Sequence, residues 1–196
     1  MLASLIGEKA QKLPDMHYCD LRIEVREERG AVAENGSENA SAEDYIFDFG
    51  VRAIAGAKVS AAGYLGRILG AADADKIESV VWDGILQAHQ RARSNARLKI
   101  RTRGRFATLG KSITGTVLAP VAIAQETVPA AFTMDPRAVP LPDTVKMAVD
   151  ACKAVQGQSN DILYSATSAS TFLLRELFLS TEGANIDQSF AQTEGF

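Results

Sequence analysis

The chain has 196 residues, 46% of them apolar, and a formal net charge of −3. That length fits one large domain or two small ones with an ordinary core, and the mild charge excludes a global bias towards nucleic acid or an anionic membrane. Cys19 and Cys152 are the only cysteines, a poor disulfide framework, so a reducing compartment, the cytoplasm, is expected. Glu8 and Lys9 break the apolar start too early for a signal-peptide core. No stretch approaches the roughly 20 apolar residues of a membrane span, so no membrane association is expected.

Leu2, Leu5, Ile6, Ala10 and Leu13 have helical spacing, and Pro14-Asp15 stops that helix. In "YCDLRIEVREERG", Cys19, Leu21, Ile23 and Val25 alternate with charged residues, which predicts a half-exposed strand. Gly30 and then Asn35-Gly36 are expected to punctuate short returning strands, with Asn35-Gly36 a hairpin turn rather than a glycosylation site. "YIFDFGVRAIAGAKVSAAGYLG" reads as two central strands turning near Ala55-Gly56. Gly50, Gly56, Gly63 and Gly66 mark turns, bulges or close backbone approach in that stretch.

Asp75 and Glu78 form a capping-box start, and Ile77, Val80, Val81, Ile85, Ala88 and Ala92 stripe a helix expected to run to about residue 96, with Trp82 packing at its edge. Residues 107–142 hold five of the six prolines and read as a connector. A helix restarts with Asp143 as its expected cap, Val145, Ala148, Val149 and Cys152 on one face, and Gly157 at its end. The last forty residues read as three strands. Ile162, Tyr164 and Ala166 lie on the first, Phe172, Leu174, Glu176 and Phe178 on the second, and the turn at Glu182-Gly183-Ala184-Asn185 leads to the third. The expected division is an α/β unit with its connector over 1–142, then a helix and strands over 143–196.

His17 and His89 are the only histidines, and no H-E-x-x-H spacing surrounds them, so no metal set is read from the residues. No G-x-S-x-G, phosphate loop or dinucleotide fingerprint occurs. "RARSNARLKIRTRGR", residues 91–105, holds seven cations and no carboxylate. Nucleic-acid binding is the sharp reading of that run. Cations complementing a helix C-terminus, or lining the solvent face of an extended segment, are the plainer ones. Arg97, Arg101, Arg103 and Arg105 are therefore held as possible partner or substrate contacts, with nucleic acid the lesser expectation.

The order of segments resembles the N-terminal part of the TldD/PmbA family, metallopeptidases once described as modulators of DNA gyrase. Asp20-Leu21-Arg22 matches the family's first strand, and Gly50-Val51-Arg52 with Gly56 matches the pair that follows, although Gly63-Tyr64 stands where Gly-Phe is more usual. "DPRAVPLPDTVKMAVDA" and the "STEGANIDQS" turn continue the likeness. The resemblance implies an α+β fold, an antiparallel or mixed sheet packed with a few helices, with Gly50, Gly56 and Gly183 as structural turns and Arg52 as a further possible contact. It also implies a zinc site, but on an H-E-x-x-x-H helix and a later Cys in a C-terminal domain beyond these residues. This chain has neither motif, so no catalytic or metal residue carries over. It implies cytoplasmic peptide proteolysis or maturation by a homo- or heterodimer with a TldD/PmbA-type subunit, this part restricting access to the peptide substrate. A catalytically inactive partner or scaffold, and a nucleic-acid- or gyrase-linked module using 91–105, are the alternatives. The stretch 178–196 then reads as a sheet leading towards the absent zinc domain.

Overall fold

The computed structural model describes residues 2–107, 115–119 and 122–196, apart from the side chains of 103–107. Its fold is α+β. Six strands, β1 Met16–Glu34, β2 Ser37–Ala55, β3 Ala61–Ile68, β4 Gln125–Val128, β5 Ala166–Ser180 and β6 Asn185–Gly195, form one sheet in the order β3-β2-β1-β5-β6-β4. The helices are α1 Leu2–Ser4, α2 Ala71–Ala74, α3 Ile77–Ala107 and α4 Leu141–Gln156. After α1 the N-terminal segment continues as a π turn and a 3-10 turn to Lys12, and Asp15, at φ 59°, redirects the chain.

Several elements are longer than the sequence pattern predicts. β1 and β2 are 19 residues each instead of short returning strands. Gly30 stays extended, and the first true break is Asn35-Gly36, whose φ values of 49° and 74° are those of a two-residue primed hairpin turn. β5 is one 15-residue strand where a turn and two strands are expected; its Ser/Ala/Thr run contains no Gly, Pro or Asn to break it, and Ile162 and Tyr164 precede it as irregular chain. α3 passes the expected end near 96 and reaches Ala107, because Arg, Lys, Leu and Ala are all good helix formers. Lys99 and Arg101 are thus helical, not part of an extended segment.

The caps differ too. Asp75, expected to start α3, instead ends the short α2, whose first turn is held by Asp73 Oδ2 accepting from the Gly70 N–H at 2.9 Å; α3 begins at Ile77. Pro140 stands at the cap of α4, and Asp143 lies in its first turn, where a carboxylate favours the helix dipole. Gly157 closes α4 as expected. Gly56 (φ 145°) and Gly183 (φ 99°) occupy positive-φ turns. Gly50 does not turn; it lies within β2, directly paired with Gly66 of β3.

The chain divides into two compact units, each assembled from three segments, so the division does not follow chain order. Unit 1 comprises Met1–Glu24, Phe47–Thr127 and Glu176–Asp187; unit 2 comprises Val25–Ile46, Val128–Arg175 and Gln188–Phe196. In unit 1 the expected α3 stripe is the core: Val81, Ile85, Ala88 and Ala92 bury against Phe49, Val51, Ala53 and Ala55, with Cys19, Leu21 and Leu179. Phe49, Leu21 and Ile85 are at most 2% exposed, and each such side chain stabilises by roughly 1.5–3 kcal/mol. Trp82 packs at the rim of this cluster. Gly63 lets β3 press on α3: a Cβ there would sit 2.2 Å from the Ala88 oxygen and 2.4 Å from the Ala92 nitrogen. In unit 2, Ala31, Ala33, Ala148 and Cys152 form a smaller core, flanked by Val145, Val149 and Ala169.

Candidate functional site

Alternation along β1 sends Cys19 and Leu21 into the unit 1 core and leaves Tyr18, Asp20 and Arg22 on the opposite face of the sheet. Two carboxylates are buried on that face, Asp20 at 6% and Glu176 at 7% exposure. A buried charge requires a partner, and each has one. Arg52 reaches Asp20 Oδ2 through Nε at 2.7 Å and Nη2 at 2.6 Å. Arg22 Nε lies 3.2 Å from Glu176 Oε2. Each guanidinium also stacks on an aromatic ring, Arg52 at 5.4 Å from the Tyr18 centroid and Arg22 at 6.0 Å from that of Phe178. The result is a charged but neutralised platform with both guanidinium groups partly open to solvent. Burial is the largest single effect on Arg52 and works against its charge, but the hydrogen bonds and charges of Asp20 and Tyr18 together outweigh it and hold the guanidinium pKa above its ordinary value.

The same environment acts on neighbouring protons. Burial, reinforced by the Asp20 charge, pushes the Cys19 thiol up to about 12 and the Tyr18 phenol likewise to about 12. A raised folded-state pKa means a stabilising contribution that is complete below the unfolded pKa, near 9.0 for the thiol, and is lost as pH rises towards the folded value. Stability is therefore expected to fall between pH 9 and 12. Urea midpoints at neutral and alkaline pH check this: Cys19→Ala should flatten that fall, and an unchanged fall would contradict the assignment to Cys19.

No group of three or more His, Cys, Asp or Glu residues suited to a metal ion occurs among the described residues. Both histidines are engaged with backbone: His17 Nε2 with the Gly56 carbonyl and His89 Nε2 with the Pro14 carbonyl, each at 2.8 Å. Cys152 is buried on α4, as its helical face predicts. The Ser165 hydroxyl, 3.0 Å from its sulfur, draws the thiol pKa down; burial opposes this, and the Gly36 N–H at 3.2 Å assists it. These contacts tie α4 to the β1–β2 turn within unit 2.

The basic run has a structural use. Arg91 Nη1 donates to the Tyr64 carbonyl at 2.6 Å, Asn95 Nδ2 to the Ala62 carbonyl at 2.8 Å, and Lys99 Nζ to the Ser60 carbonyl at 3.3 Å. β3 is an outermost strand, and this row of donors caps its outward carbonyls, which otherwise form an open edge. Arg93 pairs with Asp15 at 3.7 Å. Arg97 and Arg101 lie exposed on α3, and no bond to another described residue is seen for either. The side chains of Arg103 and Arg105 lie outside the described residues. Arg52 is the one proposed contact residue in the ionic platform; the α3 arginines are not shown to join it. The sequence reading missed Asp20, Arg22, Tyr18 and Glu176 as a group. Alternation gave their face, but nothing local gave their cross-strand partners.

The fold is met in solved structures. TldE from Thermococcus kodakarensis superposes with a TM-score of 0.59 over 96% of this chain, at 11% identity. A candidate modulator of DNA gyrase from Bacteroides thetaiotaomicron gives 0.57 over 99%, at 10% identity, and another from Thermotoga maritima 0.56 over 90%, at 9% identity. The chain has the TldD/PmbA-type fold. It spans 37%, 38% and 34% of the lengths of those three proteins, so it is similar to a part of each. No protein-family model and no curated protein matches it in sequence. No helix among its described residues is long and apolar enough to cross a membrane.

Proposed function

We propose that this TldD/PmbA-type chain is the non-catalytic part of a metallopeptidase that cuts or matures peptides in the cytoplasm, controlling substrate access and assembling with a zinc-bearing subunit as a homo- or heterodimer. The observation that carries the reading is the match of nearly the whole chain to about a third of proteins of this type. The histidines support it: both serve backbone carbonyls and are not held ready for a metal. In this reading the zinc belongs to a separate domain or subunit, bound through the H-E-x-x-x-H and Cys ligands that the resemblance implies. A purely scaffolding role is the same reading without substrate contact. The gyrase-linked alternative loses support from the use of Arg91, Asn95 and Lys99 as edge caps.

Co-expression tests the assembly. A TldD/PmbA-type subunit carrying the zinc motif should co-elute with this chain in stoichiometric amounts on size exclusion. Separate elution at micromolar concentration, with both proteins folded, would count against the proposal.

A further inference from the structure

We propose that the exposed hollow over Gly50 and Gly66 in unit 1 docks an extended segment of a partner polypeptide, which lays an aromatic side chain on the two glycines. Gly50 and Gly66 are direct cross-strand partners, flanked in register by Arg52↔Tyr64 and Asp48↔Ile68. Both glycines therefore face the same side of the sheet as Arg52 and Tyr64, away from the α3 core.

Neither glycine is required by the packing of the described residues. Their φ angles are not positive. A Cβ on Gly50 would meet only the Leu65 oxygen, and one on Gly66 only the Phe49 oxygen, each at an ordinary 4.0 Å. Gly63, on the same strand, is the internal contrast, since a Cβ there collides with α3 backbone. Glycine within a strand weakens it and commonly marks a place where another group approaches closely. Here the approaching group is not part of the described chain.

The hollow has the chemistry of an aromatic seat. Two adjoining depressions of about 360 and 340 Å³ share Arg22, Gly50 and Gly66. Tyr64 and Ile68 stand on either side of Gly66 along β3, 59% and 70% exposed, as apolar walls. Arg22, held by Glu176 and stacked on Phe178, closes the seat with a fixed guanidinium that favours a ring face. An independent feature points to a polypeptide. The outward carbonyls of Ser60, Ala62 and Tyr64 are capped from α3. Gly66, the next outward position, has no such cap among the described residues, so its backbone is open to an incoming chain just beside the seat.

The test uses N-acetyltryptophanamide as probe, titrated into the 15N-labelled 196-residue chain. Saturable amide shifts are expected at Gly50, Tyr64 and Gly66 and at Arg22 Nε, with millimolar affinity. N-acetylleucinamide should bind more weakly. Gly66→Val should abolish the shifts while leaving Tm unchanged or higher, and Gly50→Ala should reduce them. No saturable shift at these positions, or equal shifts in Gly66→Val, would overturn the proposal. So would a Tm loss in both variants, which would give the glycines an internal role. Concentration-dependent shifts at the same amides without probe, removed by Gly66→Val, would overturn the assignment to a separate partner in favour of a second copy of this chain.

Discussion

Gly63→Ala is expected to destabilise unit 1 by about 3 kcal/mol or more, the upper end of what overpacking costs. The added methyl would lie 2.2 Å from the Ala88 oxygen and 2.4 Å from the Ala92 nitrogen. Those are backbone atoms in the middle of α3, so no rotamer change relieves the clash. Either β3 lifts from the helix, exposing the Ala88 and Ala92 surface, or α3 shifts and disturbs its packing on Phe49 and Val51. Gly66→Ala, three residues away, should be neutral or gain roughly 0.5–1 kcal/mol, the ordinary difference between Gly and Ala in a strand. Urea denaturation of the two variants side by side is the check. Equal stabilities would mean that the β3–α3 contact is not as close as described.

Asp20→Ala is expected to cost roughly 2–3 kcal/mol. Removing one partner of a fully buried pair typically costs about 3–5 kcal/mol, because the remaining charge is left uncompensated. Arg52 retains 38% side-chain exposure, and the water that reaches it reduces the penalty. The double variant Asp20→Ala with Arg52→Met should recover much of the loss, since no buried charge then lacks a partner. If the double variant is as unstable as the sum of the singles, the two side chains do not act as a pair.

How much of this was legible in the sequence follows from how local each signal is. The α3 stripe and the Asn35-Gly36 turn are local patterns, and both appear in the structure. The β1 alternation places Cys19 and Leu21 in the core with Ile23 packed against it, but the half-exposed strand it predicts does not hold at Tyr18 and Asp20, which are buried too. Lengths failed where the pattern offers no stop. The Ser-Ala-Thr run of β5 contains no Gly, Pro or Asn to stop it, and the Arg-, Lys- and Leu-rich end of α3 carries the helix through Gly104, so both elements continue. Gly50 shows the limit of a residue-type argument. Its identity suggested a turn, but its meaning depends on Gly66 across the ladder, a register that one strand does not reveal. The Asp20–Arg52 and Arg22–Glu176 pairs are cross-strand in the same way. They join positions 32 and 154 residues apart along the chain. The basic run reads in sequence either as a contact surface or as cations at a helix end or solvent face; three of its residues, Arg91, Asn95 and Lys99, seal an edge that only the folded sheet creates.

The most direct measurement of the central claim is metal content together with peptidase rate for the 196-residue chain alone, then with a TldD/PmbA-type subunit that carries the zinc motif. The proposal predicts no stoichiometric zinc and no turnover by the chain alone, and zinc-dependent cleavage only when that subunit is present. Stoichiometric zinc with turnover by the chain alone would contradict it, because His17, Cys19, His89 and Cys152 would then have to leave their present positions to form a site.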